Sequence, residues 1–202
     1  MLEILIATNN PHKAKELAQI LPVATNGGRS VKYLTLADYP QIPEPDENGQ
    51  TLAENAIIKA KAGMQASGLI TIADDTGLMV DFLNGAPGVR SGRYAYDDRA
   101  DYPANNTKLL KELANAPADK RAARFITVAA MAKPDGEIIL REGIVEGFIA
   151  RDYSGSNGFG YDPLFVVKSL NKTMADLTLA EKNKISHRAK AFTQMAEVIK
   201  SL

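Results

Sequence analysis

Ile4-Leu5-Ile6-Ala7 runs directly into Thr8-Asn9-Asn10-Pro11-His12-Lys13. Four small or branched apolar residues in succession predict a buried strand. Asn10 is a good helix cap and Pro11 suits a first helical position. Ala14, Leu17, Ala18 and Leu21 then recur at helical spacing. A strand therefore feeds a helix whose start carries two side-chain amides, exposed backbone N–H groups and a lysine one turn in. Both the N–H groups and the helix dipole favour an anion such as phosphate there. An ordinary capped first helix of an α/β domain explains the same residues, so the rest of the chain must choose.

Working outward, Pro40 to Gly49 is rich in proline and acid and reads as a loop. Thr51 and Glu54 then form a capping box for a helix ending near Gly68. Leu69 to Ala73 predicts a short buried strand and Leu78 to Val80 another, with an irregular Gly- and Pro-containing loop from Asn84 to Arg93. Leu109, Leu110, Leu113 and Ala114 mark a helix that ends before Pro117. Phe125–Ala132 and Glu137–Val145, joined by Pro134-Asp135-Gly136, predict a β-hairpin. A Gly/Ser/Asn loop from Tyr153 to Asp162 leads into the strand Leu164–Val167. Ile185, Ala189, Phe192, Ala196 and Ile199 place one apolar stripe on a final helix. Helices alternate with strands early and a hairpin comes late, which predicts an α/β protein with a mixed sheet.

The 202 residues suffice for one large domain or two closely joined lobes. Twenty-four basic residues cancel 24 acidic ones, so no global field draws the protein to nucleic acid or membrane, and any anion site must be local. No apolar run reaches the ~20 residues that span a bilayer, and the first residues do not resemble a signal peptide. With no cysteine and only His12 and His187, thiolate sites are excluded and a multi-histidine zinc site is disfavoured. A cytoplasmic protein using a hard, oxygen-bound metal fits this composition.

Several residues invite chemistry. Asp74 and Asp75 follow the strand Leu69–Ala73, and adjacent carboxylates at a strand end repel unless a cation or water settles them. A magnesium site, with one acid also orienting a water, satisfies that demand; a polar turn is the simpler alternative. Glu47 in the acidic loop is a second carboxylate within such a scheme. Asn55 and Lys59, four apart, share a helix face. Phe159 and Tyr161 are set among Gly158 and Gly160 in a loop before Asp162. Aromatics so placed suit stacking on a planar base, worth ~1–3 kcal/mol, or else tuck beneath a strand-entry turn. Lys182, His187 and Arg188 lie either on one helix running from a Thr178/Glu181 capping box or at the start of a new helix capped by Ser186. Both arrangements place the basic groups outside the core. No Walker A pattern, dinucleotide glycine fingerprint or nucleophile elbow is present.

Taken in order, Thr8–Lys13, Glu54–Lys59, Ala73–Gly77, Phe159–Asp162 and Lys182–Arg188 resemble the inosine/xanthosine triphosphate pyrophosphatase family across the whole chain. The resemblance implies an elongated mixed sheet flanked by helices, a single domain of two lobes with the active site in the cleft between them, and a homodimer. It also implies Mg2+-dependent cleavage of purine nucleoside triphosphates (ITP, dITP, XTP) between the α and β phosphates. On that resemblance Thr8, Asn9, Asn10 and Lys13 contact the triphosphate, with Asn55 and Thr76 as further substrate contacts. Asp75 is metal ligand and proton acceptor, helped by Lys59, with Glu47 and Asp74 supporting the ion. Phe159, Gly160, Tyr161, Asp162, Lys182, His187 and Arg188 recognise the base. Thr76 stands where many members carry serine, and Tyr153–Asn157 lacks the Pro-Arg-Gly often found there. A nucleotide-binding module without turnover is the competing class, and it has no need of the three acids.

Overall fold

The structure, a computed structural model, describes residues 1–43 and 45–202. In chain order the strands and helices are β1 (Leu2–Ile6), α1 (Pro11–Leu17), β2 (Val31–Thr35), α2 (Leu52–Ser67), β3 (Ile70–Val80), β4 (Pro87–Gly88) and α3 (Tyr102–Glu112). They continue with β5 (Ala122–Ala132), β6 (Ile138–Ile149), β7 (Phe165–Val167), β8 (Lys172–Thr173), α4 (Leu179–Ile185) and α5 (His187–Lys200). One eight-stranded sheet runs β2-β1-β3-β5-β6-β7-β8, with β4 beside β3. β1 pairs in parallel with β2 and β3, and β6, β7 and β8 pair antiparallel in turn. The sheet is mixed, as the alternation of elements predicts.

The chain packs as two compact units. One comprises Met1–Asp75, Thr127–Gly143 and Arg188–Leu202; the other comprises Thr76–Ile126 and Ile144–His187. Each has its own apolar core: Ile4, Leu17, Ile72, Met131, Phe192 and Met195 are central to the first, and Leu78, Leu109, Phe125, Ile149, Tyr161 and Phe165 to the second. The final stripe is thereby divided, because Phe192 and Ile199 belong to the first core whereas Ile185 packs on the second.

Local signals account for most element ends. Asn10 caps α1 by accepting from the His12 and Lys13 amides. Thr51 and Glu54 form the expected capping box of α2, and Gly68 closes it at φ 71°, a left-handed conformation that glycine adopts without strain. α1 stops at Leu17, beyond which Gln19 and Ile20 bond three residues back in a tight turn, and Pro22 disfavours helical backbone at Leu21. Leu21 is nevertheless buried, through a tight turn.

Three expectations require correction. The predicted strands Leu69–Ala73 and Leu78–Val80 are one continuous strand, with Asp74 and Asp75 inside it rather than at its end. Near Ser186 the chain forms two helices, not one helix running through from Thr178. The Thr178/Glu181 capping box starts α4, Ser186 is extended (φ −66°, ψ 155°), and α5 begins at His187. Lys182, His187 and Arg188 are buried, not outside the core, at 3%, 3% and 2% exposure.

Candidate active site

Successive side chains on a strand point to opposite faces, and that alternation organises the acids of β3. Asp74 meets a group from α1 and α5. The Lys13 ammonium lies 2.9 Å from Asp74 Oδ2 and the Arg188 Nε 3.3 Å from the same oxygen, while Arg188 Nη1 donates to Glu16 Oε2 at 2.7 Å. Asp75 meets α2 and the acidic loop instead. The Lys59 ammonium lies 2.6 Å from Asp75 Oδ1 and 3.1 Å from Glu47 Oε1. The two aspartates that look like one repelling pair in the sequence are therefore neutralised separately, which is why the strand need not break between them.

Burial opposes the Asp74 charge, but Lys13 and Arg188 outweigh it and hold its carboxyl well below the ordinary carboxylate range. For Lys13 burial dominates, and its pKa falls despite Asp74. Burial also works against the Arg188 and Lys59 charges, yet their carboxylate partners raise both pKa values. Asp75 differs: burial raises its pKa, and Lys59 only partly offsets that. Its Oδ2 is buried and has no hydrogen-bond partner. A buried carboxylate oxygen left unmatched costs free energy in the folded protein, and it suits a carboxylate that must bind a cation or take a proton.

The acidic loop is tied to α2 just after Glu47. Asn55 is buried and its Oδ1 accepts from the Gly49 N–H at 2.9 Å. Glu54 Oε2 accepts from the Gln50 and Thr51 amides. A Cβ on Gly49 would lie 2.6 Å from Asn55 Oδ1, so this close approach requires glycine. Asn55 shares a face with Lys59 as expected, but its amide oxygen is engaged in holding the loop. At the start of α1, Thr8 Oγ1 accepts from the Asn10 N–H at 3.2 Å, while Asn9 is exposed.

In the second unit, Thr76 is half-buried on β3, and the Phe159–Asp162 loop is held by its own aspartate. Asp162 Oδ2 accepts from the Phe159 N–H at 2.9 Å and from the Lys182 ammonium at 2.6 Å. That ammonium also lies 5.0 Å from the centre of the Phe159 ring. A Cβ on Gly158, at φ 75°, would collide with the Asp162 carboxylate at 2.1 Å. Phe159 is half-buried, whereas Tyr161 is a core residue at 3% exposure whose hydroxyl donates to the Ser91 carbonyl. For Tyr161 the alternative of an aromatic tucked beneath the turn is the one observed. His187 stacks on Phe125 with ring centroids 4.5 Å apart.

Lys13, Asp74 and Arg188 thus gather in the first unit, as do Glu47, Lys59 and Asp75; Phe159, Asp162 and Lys182 gather in the second. Sequence reasoning missed Glu16, the buried partner of Arg188. Its spacing of three from Lys13 places it on the same helix face, but an acid in a short polar helix carries no further sign of burial. Among the described residues no three His, Asp or Glu side chains form a ready-made metal cluster, and no helix is long and apolar enough to cross a membrane.

Comparison with known proteins identifies the family. A dITP/XTP pyrophosphatase of Elusimicrobium minutum is 53% identical over 98% of this chain and 100% of its own length. Another, from Corynebacterium efficiens, is 45% identical over 100% and 99%. The solved structure of a HAM1 protein from Coxiella burnetii superposes with a TM-score of 0.88 at 38% identity, covering 100% of both chains. That of the Staphylococcus aureus Ham1 protein gives 0.84 at 38% identity and 98% of both. Residues 4–198 match the Ham1 family, and the chain belongs to it.

Proposed function

We propose that the protein is a Mg2+-dependent nucleoside-triphosphate pyrophosphatase that converts dITP, ITP and XTP to the nucleoside monophosphate and pyrophosphate. The observation that carries the reading is Asp75: a buried carboxylate with one oxygen on Lys59, the other unmatched, and Glu47 on the same lysine. The full-length relatives named dITP/XTP pyrophosphatase supply the substrate class.

The donor set fits magnesium. This ion is usually held by one or two carboxylates together with waters and substrate phosphates rather than by a full protein cage. Asp75 and Glu47 are the residues to hold it. Asp74, already shared by Lys13 and Arg188, acts instead as their counter-ion. Magnesium there supplies charge neutralisation at the phosphate oxygens.

The chain's own groups do the rest. Lys13 and Lys59 place positive charge where a triphosphate brings its negative charges into a neutral protein. An incoming phosphate raises the Lys13 pKa that burial has lowered. Phosphoryl-group cleavage needs positioning and charge stabilisation more than covalent chemistry. Asp75 orients the attacking water and takes its proton through Oδ2, the oxygen that Lys59 does not engage. Lys59 fixes Asp75 through its other oxygen. Thr8, Asn9, Asn10 and Thr76 contribute hydrogen bonds to phosphate, and the half-buried Phe159 stacks on the base, with Gly160 allowing its approach. Arg188 serves here as a positioning residue for Asp74 and Lys13, and Asn55 as one for Glu47.

Deaminated purines carry a 6-keto acceptor where adenine carries a 6-amino donor. A site offering donors there leaves buried polar groups unpaired against adenine, which can reject it by ~10⁴–10⁵. We further propose that the protein is a cytoplasmic homodimer; light scattering tests the oligomeric state. Phosphorus NMR of dITP turnover with Mg2+ tests the central activity. Pyrophosphate and dIMP are the expected first products; orthophosphate with dIDP would refute the reading.

A further inference from the structure

Helix α3 carries a buried amide that the proposed chemistry does not use. Asn106 is 4% exposed. Its Nδ2 donates to the Gly160 carbonyl at 3.0 Å, a contact made across 54 residues of chain. Its Oδ1 is buried and has no hydrogen-bond partner. One turn earlier on the same face, the Tyr102 ring meets Phe159 edge-on, with centroids 6.2 Å apart and planes at 63°. Gly160 sits at φ 66°, and a Cβ there would lie 3.5 Å from the Tyr102 ring.

The Phe159–Asp162 loop is therefore gripped from two directions. α4 holds it through Lys182 and Asp162, and α3 holds it through Tyr102 and Asn106. Stability alone gives no reason for an amide at position 106. An ordinary hydrogen bond gains little on folding, whereas a buried acceptor left unmatched loses at least as much. Leucine, which matches asparagine in branching and heavy-atom count and would lie one turn from the core residue Leu109, carries no such buried acceptor. What leucine cannot do is fix a left-handed glycine whose carbonyl orients the next peptide.

We propose that Asn106, with Tyr102 beside it, is a positioning residue for base recognition, holding the Phe159–Gly160 segment in the conformation that receives the purine. The inference rests on the reading of Phe159 as the base platform. A loop that populates the receptive conformation only part of the time weakens apparent affinity in proportion. Base affinity is then set partly by a helix outside the loop.

The test compares Asn106→Leu, Asn106→Asp and Phe159→Ala with wild type, reading kcat and KM for dITP and dATP with Mg2+ and the melting temperature of each. Asn106→Leu should raise KM for dITP about tenfold, the scale of one well-placed hydrogen bond. Its kcat should change less than about twofold by the same reasoning. Asn106→Asp, which keeps the shape but removes the amide donor, should raise KM in the same direction. By the same population argument KM for dATP should rise with it, leaving the dITP/dATP ratio of kcat/KM nearly constant. If Phe159→Ala raises KM while both Asn106 variants leave it unchanged, the inference is wrong and the base platform stands. If Phe159→Ala leaves KM unchanged, the platform itself is wrong. A lower melting temperature in Asn106→Leu with unaltered KM would make Asn106 a structural residue and overturn the proposal.

Discussion

Replacing Arg188 by methionine separates two roles for that residue. Its guanidinium bonds Glu16 at 2.7 Å and Asp74 at 3.3 Å, and all three side chains are 4% exposed or less. Methionine keeps much of the volume but takes one charged partner from each of the buried carboxylates Glu16 and Asp74. Removing one member of a buried ion pair typically costs ~3–5 kcal/mol, because the remaining charge stays desolvated. At ~2–4 °C per kcal/mol for a chain of this size, the melting temperature should fall by about 6–20 °C. A Glu16→Gln/Arg188→Met double variant removes the stranded charge as well and should recover a large part of the loss, giving a coupling energy above ~1 kcal/mol in the cycle. The kinetic signature follows from position. If Arg188 acts through Asp74 on Lys13, kcat/KM should drop by similar factors for dITP and dATP, measured below the melting range by pyrophosphate release. A variant with unchanged stability whose dITP activity collapses while dATP activity persists would refute this reasoning. It would restore Arg188 as a reader of the base.

Acid should unfold the wild type more steeply than Asp74→Asn. The folded Asp74 pKa lies below its unfolded value, so its contribution is complete above about pH 4 and is lost as pH falls further. The extra slope, up to about 1.4 kcal/mol per pH unit, is measurable by urea titration between pH 5 and 3; parallel slopes would count against the Lys13–Asp74–Arg188 cluster. Lys59→Met should lower the melting temperature without metal and enlarge the increment produced by Mg2+, since Asp75 and Glu47 then lack the ammonium they share. An unaltered Mg2+ increment, read by calorimetry, would move the metal away from this pair.

Legibility in the sequence followed how local the determinants are. The caps at Asn10, Thr51 and Thr178 and the glycine stop at Gly68 act within a few residues, and these helix ends appear where the spacing places them. The class of fold followed from the same periodicities. The continuity of β3 was not legible, because two adjacent aspartates look like a strand end until Lys13 and Lys59 are seen to neutralise them from different elements. Burial of Lys182, His187 and Arg188 was hidden for a related reason. Their partners Asp162, Phe125, Asp74 and Glu16 are distant in sequence, and a basic residue without a visible partner is assigned to solvent. Tyr161 and Asn106 likewise depend on contacts across tens of residues with Ser91 and Gly160.

The account turns on Asp75, and Asp75→Asn tests it most directly. The amide keeps the size of the carboxylate but loses its basicity and much of its hold on a metal. Loss of a general base alone typically costs ~10²–10⁴-fold, with metal loss adding to it. Turnover of dITP with Mg2+ should therefore fall by at least about a hundredfold, while dITP affinity, measured by calorimetry, stays within about tenfold. A variant that binds dITP and turns it over at close to the wild-type rate would show that the base lies elsewhere.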